Sequence, residues 1–119
     1  MTAGTTVDVQ ATNDPKIAAL RVHGEITSGS ETTLMDAYVK ATQAGAKAIL
    51  LDFSNLDYMN SGGIGLLVTL LVRVQRGGQR LLAVGLTDHY RQILSLTRLD
   101  EAIAIHADEA SALAAAATA

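Results

Sequence analysis

The sequence predicts a small mixed α/β fold, a single layered unit with the element order ββαβαβαβα. Three observations carry that prediction. Two strand-like runs near the start flank the one Pro-containing turn, and short apolar runs then alternate with segments of helical period. The length of 119 residues is about the modal size of one domain, so one core is expected over 1–119, its packed part running from about Val7 to Leu113.

Val7 to Ala11 and Ile17 to Ile26 read as strands separated by Thr12-Asn13-Asp14-Pro15. Proline presets φ there and ends pairing, which predicts an antiparallel hairpin. Ser28 followed by Glu31 has the spacing of a capping box and places a helix start at Ser28. Leu34, Met35, Tyr38, Val39 and Ala41 then recur at three and four residues, one apolar stripe ending near Gly45. Ala48-Ile49-Leu50-Leu51, stopped by Asp52, has the pattern of a strand buried on both faces, and Ser54 to Asn60 reads as a polar turn. Ser61-Gly62-Gly63-Ile64-Gly65 opens a helical segment that runs to Arg76 and stops at Gly77-Gly78. Leu81 to Gly85 is the next strand, Thr87 caps a helix through about Ser95, and Ala102 to Ile105 is the last strand. Asp108 caps a terminal helix with an Ala-rich end, Ala110 to Ala119, whose last residues are expected to fray. Strands alternating with helices imply parallel pairing through right-handed crossovers after the hairpin, while strand order is not readable from the chain.

An apolar share of 49% with 18% charged residues argues for a filled interior rather than disorder. Nine Lys and Arg against twelve Asp and Glu give a net charge of -3 with no run of like charge, so nucleic acid is not an expected partner. Cysteine is absent, which removes disulfides, thiolate nucleophiles and Cys-based metal sites and fits a cytoplasmic location. The start, Met1-Thr2-Ala3-Gly4-Thr5-Thr6, lacks the order of a signal peptide, and no apolar run approaches a bilayer span, so no membrane insertion is expected. With Phe53, Tyr38, Tyr58 and Tyr90 as the only aromatic residues, a stacking platform for bases is hard to build.

On a helical wheel, Ile64, Leu66, Leu67, Val68, Leu70, Leu71, Val72 and Val74 cover an arc of about 240°, too wide for one sheet face. Leu66 and Leu70, at its edge beside Gly65, Thr69, Arg73 and Arg76, are therefore expected to meet a neighbouring helix or a partner, and a weak homodimer through this helix is compatible with the pattern. At the helix start, Ser61 sits where the first free N–H groups point outward. Two functional readings follow: the glycines cradle a ligand phosphate, or Ser61 itself accepts a phosphoryl group. The first lacks a GxxxxGK[ST] motif and any Lys after Lys47. Simple N-capping or tight packing of the helix start is the structural alternative to both.

Leu51-Asp52-Phe53-Ser54-Asn55-Leu56-Asp57-Tyr58-Met59-Asn60-Ser61-Gly62-Gly63-Ile64-Gly65 resembles the signature of STAS domains, in particular bacterial anti-sigma factor antagonists, approximately L-D-x-S-x-L-x-[FY]-[ILM]-D-S-[ST]-G-[LI]-G. Gly24-Glu25-Ile26 is similar to that family's G-E-[LI]-D, Gly77-Gly78 to its glycine pair, and Leu96-Thr97-Arg98-Leu99 to its late T-G-L turn. The resemblance implies the STAS fold and a switch. An unphosphorylated antagonist sequesters an anti-sigma factor that is also its Ser/Thr kinase, phosphorylation of the serine matching Ser61 prevents binding, and a PP2C-type phosphatase resets the cycle. It implies a partner-binding surface of Thr27, Ser28, Asn60, Ser61, Gly62 and Gly63 with Leu66 and Leu70, and no cofactor, metal or catalytic residue. Three positions depart from the pattern: Asn60 replaces Asp, Gly62 replaces Ser or Thr, and Thr27 replaces the Asp of G-E-[LI]-D. Asn60 still caps, and Gly62 removes an alternative hydroxyl, concentrating modification on Ser61.

An enzyme reading would start from His23, His89 and His106, but no HExxH, GxSxG or paired His spacing occurs. Asp52, closing a strand, and Asp57, in a turn, read as structural rather than as an acid/base pair. The competing functional class is a STAS scaffold or accessory subunit without regulated phosphorylation, bound to a transporter, a nucleotide or another STAS chain.

Overall fold

The computed structural model describes residues 4–117, arranged around one five-stranded sheet in the order β1-β2-β3-β4-β5. β1 (Thr5–Ala11) and β2 (Ile17–Ile26) form the antiparallel hairpin, with Thr5 opposite Gly24 and Ala11 opposite Ala18. β2 then pairs in parallel with β3 (Ala48–Met59), β3 with β4 (Arg80–Val84), and β4 with β5 (Ala104–His106). Every parallel strand therefore starts at one end of the molecule, and every connecting helix starts at the other.

The helices are α1 (Glu31–Gln43), α2 (Ser61–Arg76), α3 (Asp88–Leu96) and α4 (Glu109–Ala117). The first three share a core with one face of the sheet, where Leu20, Val22, Ile49 and Leu51 meet Leu34, Leu67, Leu70 and Leu94. The opposite face, with Ala19, Leu50 and Leu82, packs against Ala112 of α4. The strand Ala48-Ile49-Leu50-Leu51 is thus apolar throughout because it has a helix layer on both sides. Small α4 side chains allow a close approach, and Arg21 of β2 ties that helix down by donating to Glu109 at 2.6 Å and to Asp52 of β3 at 3.1 Å. Burial alone would raise the Asp52 carboxyl, but hydrogen bonds from the Ser54 hydroxyl and N–H and from Arg21 outweigh it and hold the group below its ordinary value. The hydrogen bond to Glu109, against the opposing cost of burial, is the main cause of a raised Arg21 pKa.

Four expectations are corrected. Ser54 to Met59 is strand, not turn: it pairs with the far half of β2, with register shifts between Arg21 and His23 and between Gly24 and Glu25. This stretch is polar because β4 ends opposite Asp52 and leaves it with β2 as its one strand neighbour. Asp52 accordingly lies inside β3 rather than closing it, and Asp57 lies on the strand, exposed. The capping box belongs to Thr27 and Ser30, around a 3-10 turn at Ser28–Ser30, and α1 begins only at Glu31. The last strand is shorter and later than Ala102 to Ile105, since a second 3-10 turn at Leu99–Glu101 takes up the preceding residues and Ile103 N–H donates to Leu99 O at 2.8 Å. Thr87 and Asp108 cap α3 and α4 as expected. The expected fraying concerns Thr118 and Ala119, and the leader reading concerns Met1 to Ala3; both lie outside the described residues.

Candidate functional site

Ser61 is the first residue of α2 and exposed, at the end of the sheet where β2 and β3 finish. Asn60 before it is extended and its Oδ1 accepts the Gly63 N–H at 2.9 Å, so one free donor of the helix start is satisfied. The Ser61 and Gly62 N–H groups have no intrahelical acceptor, which leaves the positive end of the helix beside the Ser61 hydroxyl.

The helix start is pressed onto the end of β2. Asn60 N–H donates to Ile26 O at 3.3 Å, and a β carbon on Gly63 would stand 2.2 Å from that carbonyl oxygen. On Gly62 it would stand 3.0 Å from Ser28 N and 3.1 Å from Ser28 Cβ. These glycines pack the site rather than loosen it. They bring Ser28 and Asn60 to Gly63 together, and the notch between the two segments, about 210 Å³, is lined by Ser28, Glu31, Gly62, Gly65, Leu66 and Thr69.

The loop that meets Gly62 is held from behind. Ser30, 3% exposed, accepts the Thr27 N–H at 3.0 Å and lies 2.5 Å from the Thr5 hydroxyl, which donates to Glu25 O. Thr27 spends its hydroxyl on Gly29 N–H at 3.2 Å and serves as a cap, half-buried. On the other side, the Tyr90 hydroxyl of α3 accepts the Met59 N–H at 2.9 Å, fixing the residue before the cap. Sequence reasoning missed Thr5 and Tyr90, because each reaches the site across twenty or more residues of chain and has no local pattern, and it missed Ser30 because the spacing of Ser28 and Glu31 reads as the capping box that Thr27 and Ser30 form.

Leu66 and Leu70 are corrected as partner contacts. They are 5% and 0% exposed, interior residues of the domain, with Leu66 contributing only to the floor of the notch. The apolar surface that α2 does expose is Val68 and Val72, at 40% and 39%. The spacing argument identified the wide arc but placed its open edge on the wrong side.

Elsewhere, His23 lies 3.3 Å from Asp8, His89 packs edge-on against Tyr90 at 5.0 Å, and His106 ends β5. Among the described residues no group of three or more His, Asp or Glu is arranged to hold a metal ion, and no helix is long and apolar enough to cross a membrane.

The STAS domain family model matches residues 8–112, and the chain belongs to that family. It is 24% identical over 95 residues to the anti-sigma-B factor antagonist of Staphylococcus aureus, covering 80% of this chain and 88% of that one. Its fold is similar to the crystal structure of an anti-sigma factor antagonist from Mycobacterium paratuberculosis, with a TM-score of 0.77, 20% identity, and 94% and 93% of the two chains covered. It is also similar to the Bacillus cell fate determinant SpoIIAA in its phosphorylated form, with a TM-score of 0.69, 17% identity, and 93% and 99% coverage.

Proposed function

We propose that this protein is an anti-sigma factor antagonist: with Ser61 as a free hydroxyl it binds an anti-sigma factor that is also its kinase, and phosphorylation of Ser61 ends the binding. The observation that carries the reading is an exposed serine at the first position of α2, next in the chain to Gly62 of the notch, in a chain of the STAS family. Relatives named as anti-sigma factor antagonists, and a protein of similar fold known in a phosphorylated form, support it.

The physics of the switch is local. A phosphoserine adds about -1.5 to -2 charges at neutral pH, and desolvating them in a protein interface opposes association. The same charge at the N-terminus of a helix is favourable by about 0.3 to 1 kcal/mol when exposed, so the fold survives modification. Two of the three departures, Asn60 and Gly62, fit a compact version of the site, and the third, Thr27, caps the 3-10 turn beside it. Asn60 supplies the cap without a charge, and Gly62 lets the Ser28 backbone approach closely, leaving Ser61 as the hydroxyl of the pair at positions 61 and 62.

Baits carrying wild type, Ser61→Ala and Ser61→Asp, incubated in lysate of the source cell, test this. A GHKL-type kinase is expected to follow wild type and Ser61→Ala but not Ser61→Asp, with phosphate mapped to Ser61 of recovered wild type. Recovery of the same transporter or STAS subunits by all three, with Ser61 unmodified, would instead establish a scaffold.

A further inference from the structure

The positive charge of this chain is gathered at the end of the molecule remote from Ser61. Lys16, Lys47 and Arg80 stand at the starts of the parallel strands, and their backbones form a hydrogen-bonded row: Lys47 N–H donates to Lys16 O at 2.7 Å and Arg80 N–H to Lys47 O at 3.2 Å. At strand spacing this row is about 10 Å long. Lys40, Arg73 and Arg76 lie in the last turns of α1 and α2 above it. All six are exposed, and none forms an ion pair with a described residue, whereas Arg21 and Arg98 do. The surface is also stiff. Gln79 ties the two helix ends together by accepting from the Tyr38 hydroxyl at 2.6 Å and donating to Thr42 and to Ala46 O, while Arg73 packs over the Tyr38 ring at 5.0 Å.

Helix dipoles account for cations at Lys40, Arg73 and Arg76, but not for the row at the strand starts, where like charges repel one another. Carboxylates flank the row on both sides: Asp14 in the β1–β2 turn, and Asp100 with Glu101 in the turn before β5. The basic area is thus a bounded stripe, too narrow for a planar anionic surface, and among the described residues no exposed aromatic ring borders it for base stacking. We propose that this stripe is a second docking surface, for an extended carboxylate-rich protein segment, used independently of the α2 N-terminus. The 16-residue α2, about 24 Å long, separates the two surfaces, so one chain can hold two partners at once.

A fluorescein-labelled oligoglutamate peptide, titrated with the full chain and read by anisotropy, tests the proposal against a single-stranded oligonucleotide and phosphatidylserine vesicles. Lys47→Glu and Arg91→Glu change net charge equally, and Arg91 is an exposed cation on α3, outside the row and beyond its Asp100 border. Salt-sensitive peptide binding is expected, weakened about tenfold by Lys47→Glu and less than about twofold by Arg91→Glu. Amide shifts on the wild-type chain, independent of any variant's folding, are expected at Lys16, Lys47 and Arg80 and not at Ser61. Equal loss in both variants, shifts elsewhere, no peptide binding, or tighter binding of oligonucleotide or vesicle overturns it. Each result is separate from the fate of the Ser61 switch, whose baits report on the other pole.

Discussion

Gly63 has no room for a β carbon: the added atom would stand 2.2 Å from Ile26 O and 2.9 Å from Met59 Cγ. Gly63→Ala must therefore push the α2 start away from β2, and a loss of about 3 kcal/mol is expected, read as a fall in the denaturant midpoint. Gly65, with nothing within 4 Å of its would-be β carbon, is the control, and Gly65→Ala is expected to be stabilising by about 0.5–1 kcal/mol. Tyr90 is the other residue whose role exceeds its local appearance. Tyr90→Phe leaves the Met59 N–H without its hydroxyl acceptor in a segment where Met59 is 4% exposed, a cost of about 1–3 kcal/mol. Hydrogen exchange at the Met59 amide should accelerate in that variant. Unchanged protection there would show that Tyr90 does not hold the cap segment.

Among elements, the connection from α3 to β5 carries backbone strain. Arg98 has φ 62, the left-handed region, where the resembling family pattern has glycine, and it is the one non-glycine with positive φ among the described residues. Its side chain makes only an exposed contact with Glu101 at 3.8 Å, too weak to repay the strain. Arg98→Gly is expected to stabilise the protein by about 0.5–1 kcal/mol, the relief of strain exceeding the entropy cost of glycine, and to raise the melting temperature by a few degrees. A lower melting temperature would mean that the guanidinium contributes more than its contact shows.

For the whole molecule, acid stability should report the attachment of α4. The Asp52 carboxyl is depressed below its ordinary 3.8, so its contribution is fully present above that pH and lost as pH falls through the lower folded-state value. Arg21, raised above its ordinary value, stays charged throughout, which assigns the window to the carboxylate. Below about pH 4, wild type is expected to lose stability more steeply than Asp52→Asn, with amides of α4 exchanging first. The gradient is modest because the network is partly solvated, and parallel pH profiles for the two proteins would remove the assignment.

What could be read from the chain was whatever repeats locally. Apolar period placed α1 and α2, the run at Ala48 to Leu51 announced a strand covered on both sides, and Asn60, Thr87 and Asp108 were legible as caps because a cap bonds within three residues. Ser61 stood out through its signature and its place at a helix start. The polar half of β3 was not legible, since its strand character comes from pairing with β2 and not from its own composition. Nor was the exposed edge of α2: a helical wheel gives the width of an apolar arc, but which side of it faces solvent at Val68 and Val72 depends on where α1, α3 and the sheet lie. The sequence by itself determined the fold class, the starts of α2, α3 and α4 and the candidate serine, because each is set by neighbours in the chain. Strand order, the packing of Gly63 on Ile26, the contact of the Thr5 hydroxyl with Ser30, the Tyr90 hydroxyl behind the site, and the row of Lys16, Lys47 and Arg80 were decided only in the tertiary structure, because those contacts join residues that the chain holds far apart.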